Sequence, residues 1–299
     1  MKHPSNAAKG VGLTALAGAI FGFFPVFTSL YVRFGGDTDS FNLYGFVISV
    51  VLMAAYLAVR RVSFRVPGRV VPYLLLAGIL NAATRILLTH SYLYLNVGIA
   101  TTLHFLYPLF AALIGAAFFR DRMPLYKWAA FVAAMAGVSL FATGLDEGGT
   151  LRGIVLALAS SVGFALYMLT TEKAHLAEMD PIVFVFYVSL VSTFGCAAMG
   201  LGTGRLIVPV PGRALAVLVL CAIFNNIVGF AAQQQGVRYL GAAMAALFSL
   251  LEPVFSSIFG AAILRQTMTL RTVAGIVIIL LALVWIVLMD NRAAARTQS

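Results

Sequence analysis

The chain has 299 residues, of which 62% are hydrophobic and only 10% charged, and its mean hydropathy is +0.99. A soluble domain carries about a quarter charged residues, so a soluble core does not account for an apolar excess that recurs along the whole chain in spans of roughly 20 residues. The formal net charge of +10 does not point to nucleic acid, because the basic residues sit in short connections between apolar spans, where they set topology.

The sequence therefore reads as an all-α polytopic membrane protein. Ten transmembrane helices are expected, near 11–32, 41–59, 70–91, 97–119, 127–145, 151–171, 181–203, 213–236, 241–264 and 270–289. The first follows Lys2 and Lys9 with no soluble domain behind it, so it reads as a membrane helix and not as a cleaved signal. Gly18 and Gly22 form a GxxxG pair in it, which favours a tight contact within the bundle.

In the third helix Arg85 lies six residues from the outer end, roughly 9 Å deep at helical rise. It shares a face with Asn81, Thr89 and Tyr92 by three- and four-residue spacing. Arginine at a helix centre costs about 2.5–3.5 kcal/mol on insertion scales. Arg85 reads as a cationic anchor for a carboxylate or other anion, or as a structural partner of Glu252 or a snorkelling chain.

The fourth helix carries VGIATTLHFLYPLF at 97–110 and the ninth AAMAALFSLLEPVF at 242–255, each broken by a proline, Pro108 and Pro253. A mid-helix proline has no N–H, so the carbonyls of His104 and Ser249 are expected to lose their partners and to face protein or water, not lipid. His104 reads as a satisfied interior histidine or as a substrate contact, with Tyr107 and Thr101 on a neighbouring arc. Glu252 shares a face with Ser249 and Ser256; it reads as a carrier of a coupling proton, as a cap for backbone N–H groups, or as a bond across to the third helix.

The run DEGGTLRG at 146–153 is the most turn-like in the chain and divides it into 1–146 and 147–299. In the sixth helix the stripe Ser160, Phe164, Tyr167 reads as packing. Glu172, Lys173, His175, Glu178 and Asp180 form a solvated loop, where His175 has no partners at ligand spacing. The eighth helix holds Asn225, Asn226, Gln233, Gln234 and Gln235, too polar for a lipid face; interhelical hydrogen bonding, worth about 0.6 kcal/mol each, is the plainer reading. Cys196 and Cys221 lie inside spans and read as packing, so neither a disulfide nor a metal framework is expected. No cofactor is expected.

The two halves repeat. A shift of 145 lays 104–125 on 249–270 with 9 identities in 22, among them Pro108, Gly115, Arg120 and Met123. It also places Asn81 on Asn226 and Tyr94 on Tyr239, which favours Asn226 as a site residue. Helix 1 matches helix 6 at a shift of 141, through Gly12/Gly153, Gly22/Gly163 and Phe23/Phe164. Five spans per copy is an odd number, so the second copy enters from the opposite side; transporters use such inverted repeats to alternate access to a midplane site. With the N-terminus inside, the first half places Lys2, Lys9, Arg60, Arg61, Arg65, Arg69, Arg120, Arg122 and Lys127 inside and only Arg33 outside. The second half disagrees, with Arg152, Arg205, Arg213, Arg265 and Arg271 outside; the early helices are taken to dominate.

Two five-helix halves with GIATTLHFLYP in helix 4 and SLLEPVFS in helix 9 resemble the EamA-type branch of the drug/metabolite transporter superfamily over about residues 10–289. The resemblance implies a ten-helix inner or plasma membrane protein with both termini cytoplasmic and a central cavity walled by helices 1, 3, 4, 6, 8 and 9. It implies export of amino acids, other metabolites or drugs, and supports Asn81, Arg85, His104, Asn226 and Glu252 as cavity residues without giving any a role.

The expectation is a secondary transporter that exports small metabolites such as amino acids by alternating access. Asn81, Arg85, His104, Tyr107, Asn226 and Glu252 are the expected substrate contacts, and Pro108 and Pro253 the bends. No Walker lysine motif is present, so a proton gradient or exchange is the expected driver, with Glu252 or His104 titrating. Three alternatives stand: a drug exporter of the same fold, a facilitator for lipid- or nucleotide-linked sugars, and a membrane-embedded enzyme around His104, Glu252 and Arg85. The enzyme ranks lowest because HExxH is absent. A monomer and a homodimer are equally compatible with the sequence.

Overall fold

The computed structural model describes residues 4–95, 97–121, 123–140, 150–204, 206, 212–265 and 267–298. Lys2, Arg122, Arg205, the 146/147 boundary and residues 146–149 of the DEGGTLRG run lie outside the described residues.

Every regular element among the described residues is helical. In chain order the bundle comprises α1 (α1a Pro4–Gly22, α1b Phe24–Arg33), α2 (Thr38–Val59), α3 (Val71–Ser91), α4 (α4a Val97–His104, α4b Tyr107–Phe119) and α5 (Leu125–Ser139). The second half comprises α6 (Leu151–Lys173), α7 (Pro181–Thr203), α8 (Gly212–Leu240), α9 (α9a Ala242–Phe248, α9b Leu251–Leu264) and α10 (Leu270–Gln298). Nine of these are long and apolar enough to cross a membrane; α5, with 15 described residues, is a shorter apolar helix.

Local chemistry sets the boundaries. The Asp37 carboxylate accepts from the backbone N–H of Asp39 and Ser40, both at 2.9 Å, and so starts α2. Asp180 does the same for Ile182 and Val183, with Pro181 at the first helical position, and starts α7. The prolines of α4 and α9 split each helix in two, as expected from the missing N–H. The Ser249 carbonyl, however, is not left open: the Glu252 N–H donates to it at 2.8 Å. A tightened turn restores what Pro253 removes. Two irregularities are not evident from the sequence: the break of α1 beside Pro25, and a π-helical stretch at Ala222–Gly229 within α8.

The inverted repeat appears in the packing. α3 lies along α6 as α8 lies along α1; α4 packs on α6 as α9 packs on α1; α2 pairs with α7 and α5 with α10, each helix with its own counterpart. Helices α1, α4, α6 and α9 therefore cross at the centre. The register of α1 against α6 differs from the sequence expectation. A Cβ on Gly153 would meet Leu95 at 2.6 Å and Tyr94 at 2.8 Å, and one on Gly10 would meet Leu240 at 2.7 Å and Tyr239 at 2.8 Å. Tyr94 and Tyr239 are repeat mates, so Gly153 corresponds to Gly10, a shift of 143 instead of 141. Gly12 has open space around it. In α3 and α8 the buried residues Leu74 and Ala77 match the buried Leu218 and Cys221 at a shift of 144, whereas Thr89 and Ser91 match the buried Gln234 and Gly236 at 145; the register changes across the π-helical stretch that holds Asn225 and Asn226.

Gly18 and Gly22 sit against the break in α9. A Cβ on Gly22 would lie 2.8 Å from the Glu252 carbonyl oxygen and 2.9 Å from the Ser256 nitrogen. Glycine here lets two backbones touch at the residue that carries the cavity carboxyl group.

Candidate functional site

A small central cavity of about 70 Å³ lies where the crossing helices part. Asn81, Arg85, His104 and Glu252, four of the residues expected from the sequence, share its wall. Phe21, Phe24, Phe164 and Phe230 add aromatic faces, and Thr84, Leu88 and Asn225 complete the lining. Phe21 and Phe164 are repeat mates at the corrected shift of 143, so each copy gives one of the pair.

Arg85 is held from two sides. Its Nη2 donates to Asn226 Oδ1 at 3.2 Å, and its guanidinium carbon lies 4.3 Å from the Phe24 ring centroid and 5.3 Å from that of Phe46. Such cation–π contacts are worth about 0.5–2 kcal/mol depending on desolvation. Guanidinium carries five donors, so most remain to serve a ligand. Thr89, one turn on, donates to the Arg85 carbonyl at 3.0 Å and accepts from Asn42 Nδ2 at 3.2 Å, which ties α3 to α2.

The Glu252 carboxylate faces the same cavity. Arg85 and Glu252 lie within electrostatic reach of each other. Among the described residues they form no ion pair, and Glu252 has no side-chain donor. A guanidinium and a carboxyl group thus stand apart on one wall, each with hydrogen-bonding capacity to spare.

His104 is oriented by Ser160. The Ser160 hydroxyl donates its only proton to the Ala157 carbonyl at 2.6 Å, so it accepts, at 3.0 Å, from His104 Nδ1. In the neutral ring Nε2 is then the lone-pair nitrogen, and among the described residues it has no protein partner.

Two expected contacts take other positions. Asn226 stands beside Arg85 and holds it, while its neighbour Asn225 fronts the cavity. Tyr107 is fully buried, edge-on to Phe164 with centroids 4.7 Å apart, and is not part of the lining. Phe21, Phe24, Thr84 and Leu88 were not singled out from the sequence. The repeat, aligned at 143, would have drawn attention to Phe21 through Phe164.

The two ends of the bundle differ. Consecutive helices alternate, so the ends of α4b, α6 and α8 and the starts of α1, α7 and α9a share one face, here the N-terminal face. There α9a packs on α4b and α6. Lys173 pairs with Asp121 at 2.7 Å, Glu172 accepts from the Ala242 N–H at 2.9 Å, and Gln234 donates to the Leu176 carbonyl at 2.9 Å. Among the described residues no comparable packing joins the counterpart α4a to α9b or to α1b at the opposite face. The cavity is closed toward the N-terminal face.

Comparison with known proteins agrees. The sequence profile described as the EamA-like transporter family matches residues 8–143 and again 151–288. An uncharacterized transporter of Archaeoglobus fulgidus is 26% identical over 229 residues, 73% of this chain and 78% of the relative. An uncharacterized transporter of Synechocystis sp. is 23% identical over 201 residues, and the match spans 65% of this chain and 60% of that protein. A solved crystal structure superposes with a TM-score of 0.81 at 16% identity, covering 96% of this chain and 99% of the other, which establishes a shared fold. The protein is a multi-pass membrane transporter with a small-molecule substrate, and the chain belongs to the EamA-like transporter family.

Proposed function

We propose that the protein exports small zwitterionic metabolites, amino acids foremost, by alternating access. One observation carries this reading: Arg85 and Glu252 face a single cavity without pairing with each other. A carboxylate at Arg85 and an ammonium at Glu252 satisfy both charges at once, and charge-assisted hydrogen bonds are worth about 1.5–3 kcal/mol each. The four phenyl rings suit an apolar side chain on the substrate. Asn81 and Asn225 add neutral hydrogen-bonding groups. His104 offers Nε2 as a contact or proton acceptor, and a proton carried by His104 or Glu252 is the proposed coupling ion. The two copies, 1–146 and 147–299, rock about the bends at Pro108 and Pro253.

In this reading the N-terminal face is cytoplasmic, in the inner or plasma membrane, as the basic residues of the first half support. A monomer suffices for transport, because one chain contributes the whole cavity lining.

The test is an efflux and resistance screen in cells that carry the protein or an empty vector. Amino acids and toxic amino-acid analogues are set against cationic drugs. Enhanced efflux of the zwitterions supports the reading. Resistance confined to cationic drugs overturns it in favour of the second reading, a drug exporter, which the aromatic walls and Glu252 also suit but which Arg85 opposes.

A further inference from the structure

The repeat relates residues across the centre, and the cavity uses only one member of several pairs. The shift of 145 that aligns the two proline motifs places Ser249 at the counterpart of His104 and Tyr107 at the counterpart of Glu252. It also places Gln233 at the counterpart of Leu88. His104, Glu252 and Leu88 line the cavity, and Ser249, Tyr107 and Gln233 do not. Tyr107 follows His104 by three residues toward the N-terminal face in α4, and Ser249 precedes Glu252 by three residues toward the same face in α9. Three residues are about 4.5 Å of helix, so Tyr107 and Ser249 both lie one turn nearer that face than the cavity pair.

These inner residues are buried and incompletely satisfied. Tyr107 is 0% exposed, and its hydroxyl lies beside that of Ser249 without a hydrogen bond of normal geometry; Gln233 is 1% exposed and its Oε1 has no partner among the described residues. Ser249, buried beside Tyr107, donates to the Ala245 carbonyl at 2.9 Å, which leaves its lone pairs toward the Tyr107 hydroxyl. A buried polar atom without a partner destabilises the state that buries it. Both atoms stand at the mirror positions of cavity residues, where an opened N-terminal face would wet them.

We propose that Tyr107, Gln233 and Ser249 form a second substrate half-site, covered in this conformation and opened when the N-terminal face opens. It rests on the transporter reading above. The half-site is neutral and takes the same polar or zwitterionic small molecule through hydroxyl and amide groups. Its cover is the packing of α9a on α4b and α6, pinned by Lys173, Asp121 and Glu172.

The test is side-specific thiol labelling of the full chain with a membrane-impermeant sulfonated maleimide, in right-side-out and inside-out vesicles, after Cys196 and Cys221 are replaced by Ala. Ser249→Cys and Gln233→Cys are expected to react slowly from the N-terminal face. His104→Cys is expected to react from the opposite face. Tyr107→Phe removes a poorly satisfied hydroxyl from the closed state, so it is expected to slow Ser249→Cys labelling by about fivefold or more.

Ser249→Cys and Gln233→Cys that stay inert from the N-terminal face, or react only from the opposite face, overturn the half-site. Tyr107→Phe that leaves the Ser249→Cys rate unchanged overturns the role of Tyr107. Failure of His104→Cys to label from the opposite face strikes the cavity reading instead and leaves the half-site standing.

Discussion

Gly22→Ala should loosen the bundle at a backbone-to-backbone crossing, while Gly18→Ala, one turn earlier, should be nearly silent. The added Cβ at Gly22 would sit 2.7 Å from the Phe255 Cβ, 2.8 Å from the Glu252 oxygen and 2.9 Å from the Ser256 nitrogen. Two of these atoms are backbone and cannot swing away, so α1 and α9 must part by several tenths of an ångström. Overpacking of this kind costs about 1–3 kcal/mol. At Gly18 the nearest atoms are the Glu252 nitrogen and the Leu251 Cβ, both at 3.3 Å. That lesser strain is offset by the roughly 1 kcal/mol that Ala gains over Gly in a helix. Cys196 and Cys221 are 2% and 1% exposed, so a thiol-reactive dye in detergent reports unfolding on heating. Gly22→Ala should lower the midpoint by several degrees, on a scale of about 2–4 °C per kcal/mol for large domains. Equal midpoints for the two variants, or the reverse order, would refute the claim that α1 and α9 meet backbone to backbone at Gly22.

Three further outcomes are expected. Glu252→Gln should weaken binding of a zwitterion about tenfold or more, through loss of a charge-assisted bond, and should change affinity for the matching acid without its amino group far less; Arg85→Met should do the opposite with the matching amine, and competition binding reads both. Gly241→Ala places a side chain at φ 85° and ψ 162°, with its Cβ 3.0 Å from Glu172 Oε1, a backbone region open essentially to glycine alone; it should cost about 1–3 kcal/mol in the same thermal assay. Asp121→Asn should cost under about 1 kcal/mol, because the Lys173 pair is 25% and 37% exposed and so screened; a collapse of the fold in this variant would mean that the pair does more than pin a closure.

The sequence made the repeat legible where backbone geometry is shared. Arg120 and Arg265 were matched as identical residues, and both end their helices in the left-handed region, at φ 56° and 57°, with the closing hydrogen bonds made to the carbonyls of Gly115 and Gly260. The identities at these four positions record one helix ending used twice. Arg85, His104 and Glu252 were legible because ionisable groups at that depth must find protein or water. The α1 register was not, because glycine and phenylalanine are frequent enough in these helices to match at 141; contact between Gly10 and the Tyr239–Leu240 pair decides it. The π-helical stretch was equally hidden, since Asn225 and Asn226 look alike until packing turns one toward the cavity and the other toward Arg85.

Tyr107 shows a deeper reason why a repeat in the sequence does not yield a site. It aligns with Glu252 beside equivalent prolines, yet one is sealed and the other faces the cavity. The chain is nearly symmetric, but a single conformation is not, and a site read from both copies mixes groups that serve different states. The divergence at these positions then has a thermodynamic consequence. If the state described here offers a carboxylate and imidazole, and the alternative offers a phenol and hydroxyl, a zwitterion binds the two states unequally. One charge-assisted bond of about 1.5–3 kcal/mol corresponds to a preference of roughly ten- to more than hundredfold for the state in which Glu252 is exposed. A ligand shifts a two-state equilibrium only by such a difference. Saturating zwitterion should therefore protect Ser249→Cys from label added at the N-terminal face, and Glu252→Gln should abolish that protection. Protection that survives Glu252→Gln would show that the two states do not differ in the charge they present.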